Sequence, residues 1–229
     1  MLVMTYNIQS GRNAAHTLEP AGSEAVIRRL APEVCMLHEV RMRSLDIGGA
    51  EQARDLGEHL GMEWRFFKAM EYDGGDYGIA FLSRAPILSC DHWVVPATKT
   101  LYSEPRIIFR CVVKLEGQET AVYGTHFGLS DIDLDNATNQ AEELLREEKM
   151  PALFMGDLNM RPDDPRIGRI EACIPNTAPG EPFCTFPSPA PDRKIDYIFA
   201  TSHFRAEKTW AEPTLASDHL PLIAQLSWA

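Results

Sequence analysis

Eleven short apolar runs constrain this chain more than any other feature. They lie at 2–8, 33–38, 63–69, 77–83, 86–95, 106–115, 119–126, 151–156, 194–200, 203–211 and 220–227. Many mix β-branched and aromatic residues and are bounded by Gly, Pro or Asp, the pattern of strands. The run ETAVYGTH (119–126) alternates partially, as a sheet with one covered face would. Helical patterns intervene. SEAVIRRLAP predicts a helix capped by Ser23 that stops before Pro32, with Val26, Ile27 and Leu30 on one face. GAEQARDLGEHLG predicts a second, ending at Gly61. DLDNATNQAEELLREEK sets Leu134, Ala137, Ala141, Leu144 and Leu145 on one stripe. The expectation is an α/β (α+β) fold of two stacked sheets of mixed direction with helices outside. At 229 residues, 45% of them hydrophobic, the chain is long enough for one large core, so residues 1–229 are expected to form a single domain. The stretch 176–194 holds five prolines and is expected to be a long surface loop.

Polar residues gather where these runs end. Asn7 closes LVMTYN, Glu39 closes EVCMLHE and His126 closes TAVYGTH. Asp157 and Asn159 follow ALFMG, Asp196 sits in RKIDYIF, and Asp218 and His219 precede LPLIAQL. Asp157 and Asn159 are one β period apart, so both side chains can face the same way; a simple turn explains them equally well. Strand ends in a sandwich converge on a rim. This inventory supplies carboxylates for a hard cation, amides for oxyanions and histidines for proton transfer. It contains no nucleophile elbow and no phosphate-cradling Gly-rich loop.

Lys plus Arg number 22 against 33 Asp plus Glu, a net charge of −11. Non-specific duplex binding draws most of its affinity from neutralising phosphates, so this balance disfavours a nucleic-acid partner without excluding one. No apolar stretch approaches the roughly 20 residues of a membrane span, and the opening run is short and lacks a basic flank. A cytoplasmic protein with no obligate protein partner is expected. The five cysteines (35, 90, 111, 173 and 184) are widely spaced, and a buried free thiol is expected for each.

The order MTYNIQSG, LHEV, YGIAFLSRAPI, GTHF, GDLN, KIDYIF, SDHLP resembles the endonuclease/exonuclease/phosphatase superfamily from residue 4 to 221. The resemblance implies a four-layer sandwich, deoxyribonuclease I-like, with a Mg²⁺ site on one rim that Mn²⁺ can also fill. It implies Glu39 as principal metal ligand, Asp218 as second carboxylate and Asn7 as neutral companion. It also implies His219 as the base that activates water, oriented by Asp196. Asn159, His126 and also Asn7 would contact the phosphate, with protonation of the leaving oxygen as a further role for His126. Asp157 is left between orienting the water, acting as base and holding a second metal. Arg106 is a candidate phosphate contact, with a solvated edge charge as the alternative. One acid of EYDGGDYG (Glu71, Asp73, Asp76) is a candidate to orient His126, although turn chemistry alone explains all three. Position 38 is His where Gln is common, position 9 is Gln rather than Asp, and His126 stands where exonuclease III-like members carry Tyr. The implied function is Mg²⁺-dependent hydrolysis of a phosphodiester or phosphomonoester, with a small or lipid-derived substrate favoured. A DNA or RNA nuclease is the alternative and a non-catalytic binding module a third.

Overall fold

The computed structural model describes residues 1–98, 103–180 and 183–229. Six strands form one mixed sheet: β1 (Leu2–Asn7), β2 (Val34–Met42), β3 (Glu63–Tyr72), β4 (Gly75–Ser83), β10 (Phe204–Ala211) and β11 (Leu222–Trp228), in the order β10, β11, β1, β2, β4, β3. Five form the other: β5 (Ile87–Val95), β6 (Arg106–Leu115), β7 (Gln118–His126), β8 (Ala152–Asp157) and β9 (Asp196–Ala200), in sequence order. The helices are α1 (Pro20–Leu30), α2 (Gln52–Leu60), α3 (Asp131–Glu147) and α4 (Pro165–Glu171).

Period-2 side-chain placement explains why the strand sequences read as near-continuous apolar runs. Along β2, Val34 and Met36 enter the core between the sheets, while Cys35 and Leu37 face α1 and α2. Along β8, Leu153 and Met155 face the other sheet, while Ala152 and Phe154 pack under α3 and α4. Both faces of these central strands are therefore covered, which favours apolar residues at nearly every position, whereas the edge strands β3, β5 and β10 keep exposed residues. The result is the expected four layers. In the central core, Phe109 stacks on Phe67 at 4.5 Å and tilts against Phe81 at 5.5 Å.

Two strand pairs are parallel, β1 with β2 and β7 with β8. A parallel pair needs a crossover, and α1 and α3 provide these. The carboxyl ends of β1, β7 and β8 consequently open on one rim with Asn7, His126 and Asp157 as their last residues.

The structure corrects several local expectations. The first helix begins at Pro20, and Ser23 lies inside it, donating to the Ala216 carbonyl rather than capping. α4 was not foreseen, because its seven residues carry only two buried side chains, Ile167 and Ile170. Glu39 does not end its strand. β2 continues to Met42 through a bulge where two residues, His38 and Glu39, oppose one on β4. Cys90 and Cys111 are cross-strand neighbours on β5 and β6 and form a disulfide, so the free-thiol expectation fails for this pair. Cys35 is a buried free thiol as expected, and Cys173 and Cys184 are free but only half-buried.

Gly124 on β7 marks how closely the sheets approach. A Cβ there would lie 2.3 Å from the Phe109 ring and 2.6 Å from the Met36 sulfur. Gly124→Ala is expected to cost about 1–3 kcal/mol through overpacking. Equilibrium urea unfolding should show a lower midpoint at unchanged slope, and an unchanged midpoint would contradict this packing.

Candidate active site

The rim carries a cleft of about 440 Å³. Among its walls are Glu39, Asp218, Asp157, Asn159, His126 and His219. The bulge in β2 puts Glu39 at φ +56°, in the left-handed region, and this re-aims its side chain toward the rim. Asn7 then bridges the two sheets. Its Nδ2 donates to Glu39 Oε1 at 2.9 Å and to Asp157 Oδ2 at 3.2 Å, while its Oδ1 accepts from the Gln9 amide. The Ser217 hydroxyl donates to the Asn7 carbonyl at 2.7 Å, tying the 217–219 segment to the end of β1.

Asp157 and Asp196 are direct cross-strand partners on β8 and β9, 1% and 0% exposed. Between them lies His219. Its Nδ1 meets Asp196 Oδ2 at 3.0 Å, and its Nε2 faces Asp157 Oδ2 at 3.7 Å. Burial by itself would push the His219 imidazole down, but the carboxylates of Asp196 and Asp157 outweigh it and push it up to about 10. Asp157 is raised to about 7, first by burial and then by the Asp196 charge, against the opposing pull of His219. Phe186, from the proline-rich segment, packs on the His219 ring at 4.6 Å, and the Ser188 amide donates to the Asp218 carbonyl. The loop expected at 176–194 thus closes one side of the cleft.

His126 is deeply buried, and burial followed by the Arg106 charge holds its imidazole well below the ordinary value. Arg106 Nη1 lies 3.0 Å from His126 Nδ1, and a guanidinium can only donate. The hydrogen bond therefore assigns the ring proton to Nε2, on the side of Asp157 3.6 Å away. Arg106 is itself buried and pairs with Glu104, so it is not a solvated edge charge. The hairpin acids do not orient His126. Asp76 pairs with Arg43 and Lys68 instead. Asn159 donates one amide hydrogen to the Phe127 carbonyl, leaving the other free to meet a ligand.

Two groups of residues have the donors a cation needs. Glu39 and Asp218 line the cleft, and neither makes an ion pair among the described residues. Burial raises the Glu39 carboxyl, which marks a negative charge short of compensation. Asp157, Asp196 and His219 also present ligand atoms within 4.8 Å of one another. Both imidazole nitrogens there already face carboxylate oxygens, an arrangement that suits a held proton better than a metal. Glu39 and Asp218 are the hard oxygen donors that fit Mg²⁺.

Residues 4–219 match the Endonuclease/Exonuclease/phosphatase family. The chain belongs to this family. Its members are hydrolases that act on phosphoesters. A structure of a functionally unknown conserved protein from Enterococcus faecalis V583 aligns with TM-score 0.81 at 20% identity, covering all of both chains. An endonuclease/exonuclease/phosphatase from Beutenbergia cavernae DSM 12333 aligns with TM-score 0.76 at 23% identity, covering all of this chain and 72% of that one. A mannosyl-6-phosphatase from Bacteroides thetaiotaomicron VPI-5482 aligns over the whole of both chains with TM-score 0.74 at 17% identity. Comparison with curated proteins gives no match.

Asn7, Glu39, Arg106, His126, Asp157, Asn159, Asp196, Asp218 and His219 meet at this one rim of the family fold, and the hairpin acids do not join them. The sequence reading assigns no structural role to three supports, although positions 38 and 9 stand out in it as departures from the family pattern. His38 Nε2 accepts from the backbone amide of Asp157 at 3.1 Å and lies 3.2 Å from the Thr5 hydroxyl. Gln9 donates to Asp218 at 2.7 Å. Arg41 lines the cleft two residues beyond Glu39, a β-period spacing that signalled it. In EDTA-treated protein, His219 should remain an imidazolium above pH 8, well past the ordinary histidine value of about 6.5. Asp196→Asn should bring its midpoint down, because a carboxylate that favours the charged form is lost. Imidazole proton shifts followed by NMR check both, and a wild-type midpoint near 6.5 would contradict the buried Asp–His–Asp arrangement.

Proposed function

We propose that this protein is a Mg²⁺-dependent phosphoesterase, with Mn²⁺ as a substitute, hydrolysing a P–O bond by in-line attack of water. The observation that carries the reading is the buried line Asp157–His219–Asp196 beside two unpaired carboxylates, Glu39 and Asp218. Glu39 and Asp218 would hold the cation, with Asn7 positioning Glu39 through its amide. The cation supplies positive charge for the phosphoryl oxygens and offsets the carboxylates that otherwise keep His219 protonated.

His219 accepts the proton of the attacking water at Nε2. Asp196 fixes the opposite nitrogen and stabilises the imidazolium that forms. Asp157, held by Asn7 and by the Asn159 amide, orients the water. The free amide hydrogen of Asn159 and the Nε2–H of His126 donate to phosphate oxygens as negative charge grows there. Neutral His126, with Arg106 donating to its other nitrogen, is a hydrogen-bond donor rather than an acid, because losing a proton would leave an anionic ring. The reading uses one displacement, with water as the nucleophile and no covalent intermediate. The favoured substrate is a small or lipid-derived phosphoester. It rests on the acidic balance of the chain and on the pocket size of the cleft.

The deciding experiment is a panel assay with Mg²⁺ comparing bis-p-nitrophenyl phosphate, sphingomyelin, inositol phosphates, short RNA and plasmid DNA at equal enzyme concentration. Turnover should stop in EDTA and return with added Mg²⁺. Glu39→Gln keeps the side-chain shape but removes the charge, and it should abolish productive metal binding. Full turnover in EDTA would sink the reading, and efficient plasmid nicking with a steep salt slope would favour the nuclease instead.

His219→Ala should lower kcat/KM by at least about 10²–10⁴-fold, and Asp196→Asn by a large part of that factor. The double variant should be little worse than His219→Ala alone, since the two residues act as a unit. The wild-type rate should rise with pH as His219 loses its proton. If the two losses multiply, Asp157 becomes the better base.

A further inference from the structure

Three guanidinium groups line the cleft: Arg41, Arg106 and Arg193. Arg106 is paired with Glu104 and donates to His126. Arg193 is paired with Asp192. Arg41 has no ion pair among the described residues. Its Nε donates to the Ser10 hydroxyl at 3.0 Å, and its buried Nη1 has no hydrogen-bond partner. The side chain is 9% exposed. Its guanidinium carbon lies 3.4 Å from the centre of the Tyr72 ring and 4.7 Å from that of Tyr77.

A charge buried to this degree without a counter-ion is costly. The two tyrosine rings compensate part of that cost through their faces. Both rings lie against the guanidinium, whose donors form a fixed fork suited to phosphate or carboxylate. Arg41 follows Glu39 by two residues on β2, about 7 Å along the strand. An anion at Arg41 would therefore sit one small molecule's span from a phosphate at the rim. Tyr72, half out in solvent at 40% exposed, forms the outer wall of that place.

We propose that Arg41, covered by Tyr72 and Tyr77, binds a second phosphoryl group of the substrate, so that the preferred substrates are small molecules carrying two phosphates. This rests on the phosphoesterase reading for the scissile group and adds the class of compound that fills the remainder of the cleft. The second phosphate is not cleaved there. Its oxygens satisfy the donors that the folded protein leaves unpaired, and they add affinity without touching the reacting atoms.

The test measures binding as well as turnover. Dissociation constants of fructose 1,6-bisphosphate and fructose 6-phosphate are determined by titration calorimetry, with Mg²⁺ and separately in EDTA. The wild type, Arg41→Gln, Arg41→Lys and Tyr72→Leu are compared, each checked for an unchanged far-UV spectrum. The bisphosphate should bind the wild type at least about 10-fold more tightly. Arg41→Gln should reduce that ratio to within about twofold. Arg41→Lys should restore only part of it, since an ammonium keeps the charge but not the stacked fork. Tyr72→Leu should weaken the bisphosphate more than the monophosphate. Equal binding of the two sugars by the wild type, or an unchanged ratio in Arg41→Gln, overturns the proposal. If only a short DNA oligonucleotide, titrated in parallel, depends on Arg41, the small-molecule assignment is overturned. Bis-p-nitrophenyl phosphate hydrolysis by the wild type is measured alongside. Its absence counts against the phosphoesterase reading, while the calorimetric ratio still decides the role of Arg41.

Discussion

Asp157 and Asp196 stand side by side on neighbouring strands, both removed from water, with one imidazole between them. Two carboxylates so placed repel each other and lose their hydration, and neither effect is small in a protein interior. The His219 ring answers both by carrying a proton between them, and Asn7 adds a donor to the Asp157 side. Even so, Asp196 Oδ1 remains buried without a hydrogen bond. The arrangement is stable only if three separate segments arrive together: the end of β8, the start of β9 and the 217–219 turn. Much of the surrounding polar structure serves that convergence. Ser217 clamps the turn to β1, Ser188 holds the Asp218 carbonyl, and Phe186 covers the ring.

The same constraint explains where the site lies. Parallel pairs β1–β2 and β7–β8 send four chain segments toward one rim, and side chains at their carboxyl ends need no further backbone to reach one another. Glu39 is the exception. It sits inside a strand, and only the bulge turns it outward. The backbone strain of a positive φ at a glutamate is tolerated there because neighbouring pairing on both sides holds the strand in place. The bulge in turn spaces Glu39 from Arg41, so the carboxylate and the guanidinium both line one cleft.

Much of this was legible in the sequence. The strand runs, the outer helices and the polar residues at their ends could all be read because period and burial leave marks on residue type. The meeting of Asp196 and His219 could be expected from motif order, although they are 23 residues apart. Glu39 was expected to end its strand and instead lies within it, because a bulge depends on the partner strand and leaves no local sign beyond the residues themselves. The pairing of Cys90 with Cys111 depends on the register between β5 and β6, which spacing does not reveal. The hairpin acids failed as partners of His126 because nearby basic residues, Arg43 and Lys68, claim Asp76 first. The buried Arg106 takes the place assigned to them.

His38 shows how the packing core and the site are one structure. Burial pushes its imidazole down to about 3, so the ring is neutral at any physiological pH. Its Nε2 accepts the Asp157 backbone amide, which assigns the ring proton to Nδ1. A single residue of the first sheet thus ends the backbone hydrogen-bonding of a strand in the second, at the residue that faces His219. It also packs edge-on against His126 at 5.6 Å. An acceptor is required at that point, since an unpaired buried amide costs about 1–3 kcal/mol. A charged side chain is excluded by the same burial. The position therefore admits only a neutral acceptor long enough to cross between sheets, which is the property that histidine shares with glutamine.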